Sequence, residues 1–420
     1  MPAMRASPRS PRRFLLTLLA SLALLGLLCA CGVIPSPFER PPPPTPMPVA
    51  PPPPTPIAMP IPIPTSIPGL PPGIPTTLPS GLPIPTTIPG LPSGLPSGLP
   101  TSLPSPGDSL LSHDPPPDYA TLAPAPPGST DASGAMTMPF LRTEVTSVID
   151  EVRSHLPPEH RARVEHVPFH IVDDPVEPNA AAGCAPASRA PMIMITTPML
   201  VICAATAEAR AYDELAGTNT YETYASSILD MIRRGSIRGL APGQASGPLA
   251  TDPRKLARQR QLFDEQVAFI LGHEMAHHYR GHTGCAPGGA ASAAQAEALQ
   301  RELADTAPPL EQPFEVEADM WGITSVLEAG HERAGGHWSD EGALLSLDTF
   351  RHLGEMTTDS LPLVFLSTHP PSLVRAPIVE QVARSWTPGR APLPEPTVDG
   401  QGIAIDLGGG TPIHIPIPGR

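Results

Sequence analysis

The run His273-Glu274-Met275-Ala276-His277 sets a carboxylate between two imidazoles. On a helix, residues i and i+4 share a face, so His273 and His277 can reach one cation while Glu274 sits beside it. That residue set suits metal-assisted hydrolysis. A Zn2+ with three protein ligands keeps a fourth position for water, whose pKa there falls to about 7. Glu274 would take that water's proton and later pass it to the leaving amine.

A third ligand is needed. The segment Glu315-Val316-Glu317-Ala318-Asp319 opens a helical pattern that continues through Trp321, Ile323, Val326 and Leu327. Glu315 and Asp319 are again i and i+4, so one carboxylate can close the zinc site while the other accepts a hydrogen bond from a ligand imidazole. The expected assignment is Glu315 as ligand and Asp319 behind an imidazole; Glu317, off that face, is expected to be a surface charge. A metzincin would need its third His where Thr283 stands, which excludes that arrangement.

Three pieces in this order, His273 to His277, Glu315 to Asp319, and Thr368-His369-Pro370 with Arg375, resemble the M48 zinc metallopeptidases, the family of the HtpX and BepA types and the CAAX-prenyl endopeptidases. Asn179-Ala180 is similar to that family's signature before an edge strand, and His282 stands where such helices often carry a later His. The resemblance spans roughly residues 143 to 386. It implies a zincin-like domain that holds substrate as an added strand, with Met192 to Ile195 as the edge; an internal strand there is the alternative reading. In some relatives the matching His acts as a removable fourth ligand. His369, held extended by Pro370, is thus expected as a catalytic-site residue, either a latch on the open metal position or a transition-state stabiliser, against a plain packing role. Arg375, one turn inside the following helix, is expected to face the substrate carbonyl. His278 and His282 are read as solvated or structural rather than metal-bound.

The elements that must carry these groups follow from periodicity. Val145, Val148, Ile149 and Val152 recur at helical spacing, whereas Val167, Phe169 and Ile171 alternate as in a strand. Met192 to Ile195 and Met199 to Ile202 form a second extended region interrupted at Pro198. Beyond Ala205 the pattern is mostly helical: around Ile228, Met231 and Ile232, from Leu256 through His282 for the zinc-binding helix, and around Leu344, Leu345, Leu347 and Phe350. The expected fold is α+β, mostly helical with a small β-sheet.

The rest of the chain speaks to compartment. Arg5, Arg9, Arg12 and Arg13 precede an apolar core from Phe14 to Leu28, and Leu28-Cys29-Ala30-Cys31 reads as a lipobox. Residues 1–30 are thus expected to be a lipoprotein signal peptide, with Cys31 the lipidated first residue; an uncleaved anchor helix is the alternative. Gly32, rather than Asp, follows Cys31, as in lipoproteins sorted to the outer membrane. Residues 31–135 carry more than half of the chain's 65 prolines. Such a stretch lacks backbone donors and large apolar side chains, and reads as a disordered, extended linker. Residues 136–387 form the catalytic domain, and 388–420 a Pro- and Gly-rich tail expected to be irregular. Of the cysteines, Cys184, Cys203 and Cys285 belong to the domain, where an oxidising envelope permits one disulfide with the pairing open.

A net charge of −14 and the absence of a basic stripe exclude nucleic acid as a partner. The expected function is a membrane-anchored envelope zinc endopeptidase, facing the periplasm from the outer membrane, with protein or peptide substrates and envelope assembly factors as partners. The alternatives are a zincin-fold lipoprotein serving as a chaperone or assembly factor, and a zinc hydrolase of a non-peptide bond.

Overall fold

The computed structural model describes residues 110–111, 117–241, 243–286, 290–305, 312–333, 337–356, 372–388, 397–398, 403–405 and 413–415. Cys31, the proline-rich segment before residue 110 and His369 lie outside them. Helices α1 (Met138–His155) and α2 (Pro158–Val164) lead into strands β1 (Phe169–Val172), β2 (Ala180–Cys184) and β3 (Pro191–Thr196). Then come α3 (Thr197–Ala216), α4 (Thr220–Arg233), α5 (Pro253–Tyr279), α6 (Ala293–Asp305), α7 (Gln312–His331), α8 (Glu341–Met356) and α9 (Ser372–Ser385). Three short strands, β4 (Thr397–Val398), β5 (Ile403–Ile405) and β6 (Ile413–Ile415), close the chain. The class is α+β, mostly helical with small sheets.

Helix α5 is the axis of the body. Asp252 caps it by accepting from the Arg254 N–H at 2.9 Å, and Pro253 occupies the first turn, where a missing N–H costs nothing. From Leu262 to Ala276 nearly every side chain is buried, because α1, α3, α7 and α8 all pack around this helix. The polar side chains within this span are buried with partners, Glu265 accepting from the Ser339 and Gly342 N–H groups and Gln266 donating to the Cys203 carbonyl, as burial of polar groups requires. Two glycines meet where α5 packs on α7: a Cβ on Gly272 would lie 3.2 Å from the Gly322 carbonyl oxygen, and one on Gly322 would lie 3.1 Å from the His273 nitrogen. That contact brings the first turns of α7 against His273 and His277.

The first sheet has the order β1-β3-β2, with β1 parallel and β2 antiparallel to β3. Two expectations change here. Met192 to Ile195 lie in the central strand, not at an edge, since Ile193 and Ile195 face the helical core while Met192 and Met194 pack with Ala296 and Leu299 of α6. Apolar residues on both faces of a strand are the mark of burial on both sides; the edge strands are β1 and β2. Met199 to Ile202 are helical, within α3. Pro198 stands in the first turn, where it starts a helix rather than interrupting a strand, and a short apolar run has no period that separates the two.

The tail is not wholly irregular, for β4, β5 and β6 pair antiparallel and Ile405 is buried in the main core. Residues ahead of position 136 also join the body. The Leu110 N–H donates to Asp348 Oδ1 at 2.9 Å, and buried Lys255 donates to the Gly134 carbonyl at 3.1 Å while pairing with Glu208 at 2.8 Å. Among the described residues, no helix is long and apolar enough to cross a membrane.

Candidate metal centre and active site

The geometry of α5 and α7 brings three ligand atoms to one point. His273 Nε2 and His277 Nε2 are 3.0 Å apart; Glu315 Oε2 is 3.4 Å from the first and Oε1 is 3.3 Å from the second. Zinc bonds of about 2.0–2.1 Å in a tetrahedral array would set neighbouring ligand atoms roughly 3.3 Å apart. The residues fit the ion. A second trio among the described residues, Glu222, Asp348 and His352, also lies within ligand reach. There Asp348 is already shared by the Leu110 N–H, the Tyr221 hydroxyl and the Arg351 guanidinium, so an arginine supplies the positive charge.

The electrostatics of the first trio point the same way. Burial opposes charge on His273, but its hydrogen bonds to Asp319 and Glu315 prevail and lift its pKa to about 9. Burial pushes His277 down to about 4. The pocket therefore favours one positive charge between two imidazoles and a carboxylate, the place a divalent cation would occupy. Burial, with the charge of Glu315 behind it, raises Glu274 to about 7, the range in which a group can both accept and return a proton near neutrality.

Behind His273, Asp319 Oδ1 lies 2.9 Å from Nδ1. A carboxylate only accepts, so Nδ1 keeps a proton, and when a cation replaces the second proton of the ring Nε2 presents its lone pair to the site. Arg375 is buried and takes both oxygens of Asp319, Nε to Oδ2 at 2.8 Å and Nη2 to Oδ1 at 2.6 Å. The expectation that Arg375 faces a substrate carbonyl is thereby corrected: its guanidinium lies against Asp319, on the Nδ1 side of His273. Glu317 is likewise no surface charge, since Arg280 Nε and His282 Nε2 contact it at 2.6 and 3.0 Å. Neither His278 nor His282 belongs to the trio of converging ligand atoms. His278 Nε2 lies 2.8 Å from the Met192 carbonyl and ties α5 to the sheet.

Strand β2 borders the site through its backbone. Glu274 Oε2 accepts from the Ala182 N–H at 2.7 Å. Asn179 and Ala185 hydrogen-bond the β3 side, so by the alternation of an antiparallel pair the backbone groups of Ala182 point to the free edge. Asn179 is anchored to α6 by its amide, which donates to Gln300 Oε1 at 2.9 Å. At the other end of β2, Cys184 is disulfide-bonded to Cys285 in the turn after α5, leaving buried Cys203 as the free thiol among the described residues.

Reading the sequence singled out His273, Glu274, His277, Glu315 and Asp319, and the structure brings all five together. The sequence reading assigned no role at this site to Ala182, or to the pairing of His282 with Glu317; the dipeptide Gly281-His282 just past α5 was the available signal for the latter. Comparison with protein-family models, curated proteins and solved structures finds no match.

Proposed function

We propose that this chain is a zinc metalloendopeptidase of M48 type with a zincin-like fold, anchored to the bacterial outer membrane through lipidated Cys31 and acting on envelope proteins in the periplasm. The observation that carries the reading is the convergence of His273 Nε2, His277 Nε2 and the Glu315 carboxylate on one point, with Glu274 on the next residue of the same helix. A zinc ion held by those three residues supplies Lewis acidity toward water and the scissile carbonyl. Glu274, raised to about 7, takes the proton of the attacking water and delivers it to the leaving amine. Substrate lies along β2 as an added strand, pairing with the outward carbonyl of Ala182, whose N–H is taken by Glu274. The small side chains of Ala180, Ala181, Ala182 and Gly183 read little of its sequence.

Metal analysis of the full-length chain and digestion of unfolded casein test this together. The wild type should hold one zinc per chain and cleave casein, and Glu274→Gln should keep the metal while losing at least about 100-fold in rate. A zinc-free wild type, or full activity in Glu274→Gln, overturns the proposal. Zinc binding without cleavage, accompanied by suppressed aggregation of unfolded protein, would instead identify a chaperone.

A further inference from the structure

The turn that ends α5 returns a third imidazole to the back of the metal site. Gly281 has φ +84°, its N–H donates to the His278 carbonyl at 3.1 Å, and the His282 N–H donates to the His277 carbonyl at 2.8 Å. This pair of bonds is a Schellman closure, in which the residue after the left-handed glycine folds back onto the last full turn. An apolar contact usually completes that motif. Here the contact is polar: His282 Nδ1 lies 3.0 Å from His277 Nδ1.

The protons of this chain of groups can be placed. Glu317 Oε2, 3.0 Å from His282 Nε2, is acceptor-only as a carboxylate, so His282 Nε2 donates and His282 Nδ1 carries a lone pair. That lone pair accepts from His277 Nδ1–H. His277 Nε2 is then left bare and aimed at Glu315 and His273. The arrangement parallels that of Asp319 behind His273, with one imidazole interposed.

We infer that His282, oriented by Glu317, is a positioning residue that fixes the ring and tautomer of His277 for metal binding. Outer partners of ligand imidazoles set metal affinity by about 10- to 100-fold, whereas a His that only fills the turn would not. The competing role is packing, because the His282 ring also stacks on Phe314 at 4.4 Å with 16° between planes.

Two substitutions separate these roles. His282→Phe keeps an aromatic ring for the stack but has no acceptor; His282→Asn loses the ring but places an amide oxygen near the position of Nδ1. The inference rests on the metal-site reading above, and zinc affinity of the full-length chain, measured by competition with a chromophoric chelator, distinguishes failure of one from failure of the other. The expected order is wild type close to His282→Asn, with His282→Phe weaker by about 10- to 100-fold at unchanged far-UV circular dichroism. Glu317→Gln, which keeps an acceptor for His282 Nε2–H, should weaken binding by less than His282→Phe. Equal affinity of wild type and His282→Phe overturns the relay alone, as does His282→Asn binding more weakly than His282→Phe. A wild type that binds no zinc overturns the metal site and the relay with it.

Discussion

Arg375 grips Asp319 with two nitrogens, at 2.8 and 2.6 Å, with both side chains almost wholly removed from water. The pair links α9 to α7, and through the Asp319 contact with His273 Nδ1 it links α9 to the candidate metal ligand as well. Burying two charges is costly, and removing one partner leaves the other uncompensated. Arg375→Leu is therefore expected to destabilise the fold by about 3–5 kcal/mol and to weaken zinc binding. Urea denaturation beside chelator competition would check both, and a loss of activity with stability and metal affinity intact would return Arg375 to the substrate side of the site.

The pH dependence of the metal-free protein has a definite sign. His273 titrates near 9 in the folded state against an ordinary 6.5. A raised pKa means that the stability contributed by the proton is complete below the unfolded value and is lost as pH rises through the folded one. Metal-stripped protein should thus lose stability between pH 7 and pH 9, on the order of 2 kcal/mol if His273 acts alone. Glu274 and Glu265, each raised to about 7 by burial, act in the same direction but below that window. With zinc in place of the proton the decline should vanish. Thermal unfolding with and without zinc across this range measures it, and a flat profile for the stripped protein would contradict the assignment.

What was legible in the sequence is what short-range spacing encodes. His273, His277, Glu315 and Asp319 could be placed because i and i+4 share a helix face whatever surrounds the helix. The position of Met192 to Ile195 within the sheet was not, because strand order depends on which chains pair across β1-β3-β2, and no local period records that. Met199 to Ile202 read as extended because four apolar residues after a proline fit a strand or a buried helix equally. Glu317 looked like a surface charge because its partners, Arg280 and His282, come from the end of another helix. The same holds for Arg375, whose partner Asp319 lies 56 residues away.

The disulfide gives a separate test of the edge strand. Cys184 and Cys285, 101 residues apart in sequence, tie the end of β2 to the turn after α5. Closing a loop of that size stabilises a fold by roughly 2–5 kcal/mol. Cys184→Ser should lower stability by that order, and it should slow peptide hydrolysis more than it reduces metal content, because β2 carries the Ala182 N–H that holds Glu274 whereas none of the ligands lies on β2. Metal content falling in step with activity would show that the bridge supports the whole site rather than the strand.

Gly281 supplies the sharpest single-residue test of how the helix end serves the site. Its φ of +84° is a conformation that L side chains rarely adopt, and a Cβ there would meet no other atom within 4 Å. Gly281→Ala therefore introduces backbone strain without a steric clash, and about 1–2 kcal/mol of destabilisation is expected. The chain can relieve that strain by opening the turn, which would withdraw His282 from His277. Zinc affinity should then fall even though no ligand and no relay residue has been changed. Gly281→Asn is the control, since Asn tolerates the left-handed region better than Ala and should restore most of both quantities. If Gly281→Ala loses stability while its zinc affinity matches the wild type, the Schellman turn closes α5 without contributing to the metal site.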